Sequence, residues 1–185
     1  MPTLSRSLLL CALCLAPCLW PASAEASDAC GLDLTTLPDF SLEDVNPSSA
    51  SAGAAVSRSG LEGKVVVAYF ALSSCGHCQS QTGQLQDIWS RHAEAFGDDV
   101  RFVLVSLASG ADTVEELTSR TDLPVLQDTD GDDVAGTWGA EKWFLYIVRP
   151  DGTLGTIHYT LNLTEEAVVE RLIAEIDAAR TGGAL

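Results

Sequence analysis

A pair of cysteines, placed where a buried strand ends and a helix begins, constrains the fold of this chain more than any other feature. Residues 65–72 (VVVAYFAL) form an unbroken, mostly β-branched and aromatic run, which is typical of a central strand buried on both faces. The motif CGHC follows at residues 75–78, and apolar residues then recur at helical spacing up to Phe96, before Gly97. The pattern predicts a strand, a short loop and a helix that begins at about Cys75.

The position of the two cysteines indicates redox chemistry. A helix N-terminus presents free backbone N–H groups, and these groups together with the helix dipole favour a thiolate over a thiol at Cys75. The thiolate is the form that attacks a disulfide. Cys78 lies one turn later on the same helix face, where it can displace the product. We predict that Cys75 attacks, that Cys78 resolves, and that the two form a redox-active disulfide.

Neighbouring residues predict how the pair is tuned. An imidazole beside the thiolate stabilises the reduced form, so His77 is predicted to tune the pKa of Cys75 and to make the couple more oxidising. The Gly-His spacer is the one found in protein disulfide isomerases, whose potential is about −180 mV, against about −270 mV for thioredoxin. Ser74, Gly76 and Trp143 are predicted to line the substrate groove.

Two other roles for the motif stay open. The cysteines could form an inert, stabilising disulfide, although so short a loop restrains little chain entropy. They could also bind zinc, but a structural zinc site needs four ligands, and residues 75–78 offer three at most. The other candidate ligands are isolated along the chain: Cys30, His92 and His158. We therefore expect no metal and no cofactor.

The first 24 residues have the pattern of a secretory signal peptide. Arg6 supplies the positive region, residues 8–19 (LLLCALCLAPCL) the apolar region, and residues 22–24 (ASA) the cleavage pattern. The apolar run is shorter than the roughly 20 residues that span a bilayer. A buried N-terminal helix and a lipoprotein signal at Cys18 are the alternatives. We predict export, to a bacterial periplasm or cell envelope or as a secreted protein.

Removal of residues 1–24 changes the cysteine count. Three of the six cysteines lie within the signal, so the mature chain keeps Cys30, Cys75 and Cys78. An odd number permits at most one internal disulfide at a time, which argues against a domain held together by disulfides. Cys30 has three open roles: a free thiol, a partner for another chain, or a resolving thiol.

The chain is strongly acidic, with 26 Asp and Glu against 10 Lys and Arg. Cleavage of the signal removes Arg6 and no acid, which takes the formal net charge from −16 to −17. Such a surface repels phosphate backbones and anionic lipid headgroups, so we expect no nucleic acid and no direct membrane binding. The expected partners are cysteine-containing exported proteins or small thiols, and the oligomeric state is open.

Three segments follow from the composition. Residues 1–24 are the signal, residues 25–63 are a lead-in and loop segment rich in Pro, Ser, Gly and Ala, and residues 64–181 are the domain. Residues 38–46 are predicted to attach to the domain as an extra strand. Within the domain we predict five strands, at 65–72, 100–107, 123–127, 143–149 and 154–159, with a helix after the first, a short helix capped at Asp112 or Thr113 after the second, and a last helix from Thr164.

The cysteine region resembles the N-terminal domain of selenoprotein P, within the thioredoxin-like superfamily. The resemblance rests on the spacing of Cys75, Cys78, Gln81, Leu85 and the Asp-Ile pair at 87–88, and it continues loosely over residues 38–175. It implies an α/β, thioredoxin-like fold, with a central mixed β-sheet flanked by helices on both faces, and a redox-active pair. Selenocysteine normally takes the place of Cys75 in those relatives, so selenium transport is not carried over.

Three departures from ordinary thioredoxins bear on the chemistry. Thioredoxins carry a cis-proline, facing the active site, before the strand that corresponds to 143–149. This chain has no proline there, and residues 142–144 (KWF) take its place. Tyr69 replaces the buried acid of the strand before the motif, so proton removal from Cys78 needs another base or water. Ser74 replaces the tryptophan that usually precedes the first cysteine.

We predict an exported thiol–disulfide oxidoreductase that acts on cysteines of other exported proteins. The alternatives are a non-enzymatic, selenoprotein P-like binding domain with a structural disulfide, and a thiol peroxidase. The peroxiredoxin pattern P-x-x-x-T-x-x-C is not present from Ala68 to Cys75. The acidic segment 128–133 (DTDGDD) resembles the start of a calcium loop, but Gly139 stands where the closing glutamate belongs. We predict a solvated acidic turn there.

Overall fold

The computed structural model describes residues 35–107 and 113–183. The predicted signal peptide and Cys30 lie outside the described residues. Among the helices that are described, none is long and apolar enough to cross a membrane. The strands are β1 (Ser41–Glu43), β2 (Ala55–Ser57), β3 (Val65–Ala71), β4 (Val100–Ser106), β5 (Val125–Gln127), β6 (Leu145–Val148) and β7 (Leu154–His158), and the helices are α1 (Gly76–Phe96), α2 (Glu115–Thr118), α3 (Val134–Trp138) and α4 (Glu166–Thr181).

Five strands form a central mixed sheet in the order β5-β4-β3-β6-β7. Strand β3 pairs in parallel with β4, and β4 pairs in parallel with β5. Strand β6 is antiparallel to both β3 and β7. Every residue of β3 is buried, as its unbroken apolar sequence predicts.

Alternate residues of β3 face two separate cores. On one face, Val67 and Tyr69 pack with residues of α1 and α4. On the other face, Ala68 and Phe70 pack with Trp138 of α3 and with the first described residues of the chain. Full burial of a large apolar side chain contributes about 1.5–3 kcal/mol, so both layers stabilise the sheet. The predicted α/β class, with helices on both faces of a mixed sheet, is confirmed.

The segment before β3 forms a small antiparallel sheet of β1 and β2. Asp44, which is fully buried just after β1, joins this sheet to the central one. Its Oδ1 accepts hydrogen bonds from the backbone N–H groups of Asn46 and Val125, both at 3.0 Å. Its Oδ2 accepts from the hydroxyl groups of Ser49 and Ser51.

The acidic segment 128–133, predicted as a solvated turn, leads into the short helix α3, and its first residue, Asp128, is buried. Asp133 begins this helix with φ of 44°, in the left-handed region, and its side chain accepts from Gly136 N–H. Buried Asp128 accepts from the N–H groups of Val134 and Ala135 at 3.0 and 2.9 Å. These carboxylates satisfy the unpaired donors of the first turn, so the helix forms although its apolar pattern is too short to indicate one.

Candidate active site

The motif lies at the junction of β3 and α1. Cys75 is the residue that caps α1, and its Sγ accepts a hydrogen bond from Cys78 N–H at 3.3 Å. The loop between strand and helix is held by Gln79, whose Nε2 donates to Ser73 O at 2.9 Å. The side chain of Cys75 therefore lies at a helix N-terminus, where partial positive charge favours a thiolate.

The half-buried Cys75 thiol is surrounded by hydrogen-bond donors. Burial by itself raises its pKa, but hydrogen bonds from the Cys78 side chain and backbone, from the Trp143 side chain and from the backbone of His77 together lower the pKa below its ordinary value of 9.0. The Trp143 contact is direct, with Nε1 3.2 Å from Cys75 Sγ. Trp143, which lies outside the motif, thus contributes to the lowered pKa that the motif predicts for Cys75.

Trp143 is positioned by an unusual backbone. Its φ is 81°, in a region that side-chain-bearing residues seldom adopt. Its N–H donates to Phe70 O at 2.9 Å, which fixes it against the end of β3. The Lys142 ammonium lies 5.0 Å from the centre of the indole ring. The ring is therefore held over Cys75 by contacts on several sides.

Cys78 is the buried member of the pair, with no exposed surface. Burial, and then the hydrogen bond with Cys75, raise the pKa of its thiol to about 11. Among the described residues both cysteines are free thiols, so the structure represents the reduced pair. The two sulfurs differ in exposure and in acidity, as an attacking and a resolving cysteine must.

Tyr69 lies in β3 on the same core face as Cys78. Burial, and then the charge of a Cys78 thiolate, raise the pKa of its phenol well above the ordinary value of 10.0. The Tyr69 hydroxyl therefore stays protonated, so it can act as a donor and not as a base. Two further buried hydroxyl groups on the elements around the motif have no hydrogen-bond partner among the described residues: Ser73 and Thr82.

The remaining predicted residues lie at the surface around Cys75. Ser74, Gly76 and His77 are exposed, and a Cβ atom on Gly76 would meet no atom within 4 Å. The His77 ring packs edge-on against Trp143, with 5.7 Å between ring centres. Its Nε2 lies 3.2 Å from Leu161 O. The structure thus brings Ser74, Gly76 and Trp143 together around the nucleophile, and tuning by the His77 ring stays a prediction.

Gln81 is a site residue that sequence reasoning missed as a functional element. It is buried, and its Oε1 accepts from Leu163 N–H at 2.7 Å. This bond holds the chain at residues 161–163, the stretch that contacts His77, against α1. A polar residue on the buried face of α1 was the available signal. Within the described ranges, no group of three or more His, Cys, Asp and Glu side chains could hold a metal ion.

No protein-family model and no curated protein matches the chain. Solved structures do match. The chain is similar to a secreted disulfide oxidoreductase of Mycobacterium tuberculosis, homologous to E. coli DsbE, at 19% identity over 75% of this chain and 95% of that one, with a TM-score of 0.55. It is also similar to MTB dsbF in mixed oxidized and reduced forms, at 21% identity over 78% and 99% of the two chains, with a TM-score of 0.57.

A third similar structure is Arabidopsis thaliana ScoI with copper bound, at 19% identity over 77% of this chain and 98% of that one, with a TM-score of 0.57. At these identities the likeness concerns the fold. The chain has a thioredoxin-like fold, as the sequence predicts.

Proposed function

We propose that this protein is a thiol–disulfide oxidoreductase that uses Cys75 and Cys78 on cysteines of other exported proteins or on small thiols. The observation that carries the proposal is the asymmetry of the pair. Cys75 is half-buried with a lowered pKa, whereas Cys78 is fully buried with a pKa raised to about 11. The two Mycobacterium tuberculosis structures, one described as a disulfide oxidoreductase and one in oxidized and reduced forms, support the same chemistry.

In the reductive direction, the Cys75 thiolate attacks one sulfur of a substrate disulfide. The substrate S–S bond breaks, a mixed disulfide forms at Cys75, and the first substrate sulfur leaves as a thiolate that takes up a proton. Cys78 then loses its proton and attacks Cys75 Sγ, which releases the second substrate sulfur. The substrate gains two electrons and two protons, and the protein is left with the Cys75–Cys78 disulfide. Oxidation of a substrate dithiol is the same sequence in reverse.

The proton of Cys78 is the difficult part of this sequence. Among the residues that the structure describes, no carboxylate is a named cause of the raised pKa of Cys78, and the Tyr69 phenol stays protonated. The departing substrate thiolate or a water molecule must therefore accept that proton. We expect release of the mixed disulfide to be slower, and more dependent on pH, than the first attack.

The reduction potential of the pair, measured in glutathione buffers, tests the proposal. A value of roughly −150 to −250 mV is the range of catalytic couples and supports an exchange enzyme. A value below about −300 mV marks a structural disulfide and would favour the binding-domain alternative.

Single-cysteine variants complete this test. Cys75→Ser is expected to abolish reduction of insulin disulfides, and Cys78→Ser is expected to accumulate a mixed disulfide. Cys30→Ser is the matched control, and its activity should equal that of the unchanged protein. Full activity in Cys75→Ser would overturn the proposal. Export and the narrower resemblance to selenoprotein P rest on the sequence and stay predictions.

A further inference from the structure

A cavity of about 360 Å³ lies at the ends of the central strands, on the side of the sheet that is opposite the cysteines. Lys64 directly precedes β3 and Arg149 directly follows β6, and both line it. Because β3 and β6 are antiparallel, these two residues lie at one end of the strands, whereas Cys75 follows the other end of β3. The cavity is thus separated from the redox site by the length of the central strand.

The inner wall of the cavity is apolar. Leu61, Val66 and Trp138 contribute to it. Trp138 is 2% exposed, and its Nε1–H has no hydrogen-bond partner among the described residues. A buried donor without an acceptor is rare in folded proteins, so Trp138 is an unusual residue in this wall.

Three positively charged side chains line the cavity, although the chain has few Lys and Arg residues. Arg58, Lys64 and Arg149 are three of its ten Lys and Arg residues. Arg58 pairs with Asp39 at 2.9 Å, but neither Lys64 nor Arg149 forms an ion pair with a described carboxylate. Lys64 Nζ and Arg149 Nη1 instead donate to backbone carbonyl groups, at 2.8 and 2.9 Å.

Two acidic residues also line the cavity against its three cations, and the pKa of the Asp151 carboxyl is lowered by its hydrogen bonds with Thr153 and, to a lesser extent, by the charge of Arg149. Glu62 and Asp151 are both exposed. The Asp151 carboxylate is engaged within its own turn, where Oδ1 accepts from the N–H and the hydroxyl of Thr153 at 2.9 and 2.6 Å. The half-buried guanidinium of Arg149 retains donors that no described carboxylate uses.

We propose that this cavity binds a small organic anion, with its single negative head at Lys64 and Arg149 and its apolar body against Leu61, Val66 and Trp138. Ligand pockets of this size are apolar with a few polar groups that fix orientation. Bound charge is recognised here by charge-assisted hydrogen bonds, which are stronger than neutral ones. The site is independent of the cysteine chemistry and goes beyond it.

The probe for the test is the fluorescent dye anilinonaphthalene sulfonate, and phenylnaphthylamine, the same ring system without the anionic group, is its comparison. The purified protein is expected to bind one sulfonate dye per chain, and to bind it at least tenfold more tightly than the neutral dye. Arg149→Gln is expected to weaken binding of the sulfonate dye about tenfold, because one hydrogen bond to a charged group is lost. Binding of the neutral dye should not change.

Arg91→Gln is the matched control, since it removes the same charge from an exposed position on α1. It should leave both dyes unaffected. Leu61→Trp places a larger ring in the apolar wall and should weaken binding of both dyes, with the circular dichroism spectrum retained. Equal affinity for the two dyes, or the same response to Arg149→Gln and Arg91→Gln, would overturn the proposal.

Discussion

Trp143 Nε1 lies 3.2 Å from Cys75 Sγ, across 68 positions of sequence. The indole donates a hydrogen bond to the sulfur, and such a bond is stronger when the acceptor is a thiolate. It therefore stabilises the reduced, ionised state of the pair more than the disulfide. Any change in Trp143 should consequently alter both the acidity of Cys75 and the potential of the couple.

Trp143→Phe tests this relationship, because phenylalanine keeps an aromatic ring and lacks the donor. A hydrogen bond to a charged group contributes about 1.5–3 kcal/mol, and one pKa unit corresponds to about 1.4 kcal/mol. We expect the pKa of Cys75 to rise by about one unit, measured as the pH dependence of alkylation by iodoacetamide. The potential should become more negative by about 30 mV.

Trp89→Phe is the control for this substitution. Trp89 packs in α1 against Phe96 and Phe102, away from the motif. Its replacement should leave the alkylation profile unchanged. An unchanged profile in Trp143→Phe as well would show that the indole does not stabilise the thiolate.

The stability of the reduced protein should fall at alkaline pH because of Cys78. Its pKa is raised from 9.0 to about 11 in the folded state, so its contribution is fully present below about pH 9. That contribution is lost as the pH rises through 11, and it amounts to about 3 kcal/mol. Urea unfolding at a series of pH values, from below 9.0 up to about 11, measures this loss of unfolding free energy.

The Cys78→Ser variant should not show this alkaline loss, since serine does not ionise in that range. Both proteins share all other titrating groups, so the difference between them isolates the thiol. If the free energy of unfolding changed with pH in the same way in both proteins, the raised pKa of Cys78 would be contradicted.

Tyr69→Phe should change kinetics more than stability. The hydroxyl that it removes interacts with the Cys78 sulfur and forms no other hydrogen bond with a described residue, so its loss costs little folding free energy. The Tyr69 side chain lowers the pKa of Cys78, and without it Cys78 should ionise at higher pH. We expect slower release of a mixed disulfide near neutral pH. Stopped-flow fluorescence measures the rate of this release. A faster release would contradict this role.

Asp44→Ala should be strongly destabilising. The carboxylate is fully buried and accepts hydrogen bonds from two backbone N–H groups and two hydroxyl groups. Its removal leaves the two buried backbone N–H groups without this acceptor, at an expected cost of about 3 kcal/mol. Asp39→Ala, which breaks an exposed ion pair with Arg58, should cost less than about 1 kcal/mol. Chemical denaturation distinguishes the two, and equal losses would be inconsistent with the buried network.

The sequence predicts the centre of the fold well, because local patterns and tertiary structure agree there. Strand β3 is apolar throughout, and α1 begins where its capping cysteine indicates. The helix α3 is not predicted, because its five residues are stabilised by Asp128 and Asp133 through contacts that no periodicity reveals. Strand β2 (Ala55–Ser57) is likewise hidden in a segment of small residues, since it depends on its pairing with β1.

The candidate site likewise contains residues that the sequence predicts and one whose role depends on tertiary structure. Cys75 and Cys78 follow from the motif, since a strand followed by C-x-x-C and a helix fixes the position of both sulfurs. Trp143 was expected only as part of the groove. Its role as a donor depends on a backbone conformation and a contact across the sheet, and neither leaves a pattern in the sequence.

The positive φ of Trp143 has a consequence for variation at this position. A backbone conformation of this kind costs about 1–3 kcal/mol for a residue with a side chain, and glycine would avoid that cost. Glycine at 143 would also remove the donor from Cys75. Backbone stability and a reactive thiolate therefore favour different residues at this position, and the tryptophan of this chain meets the second requirement.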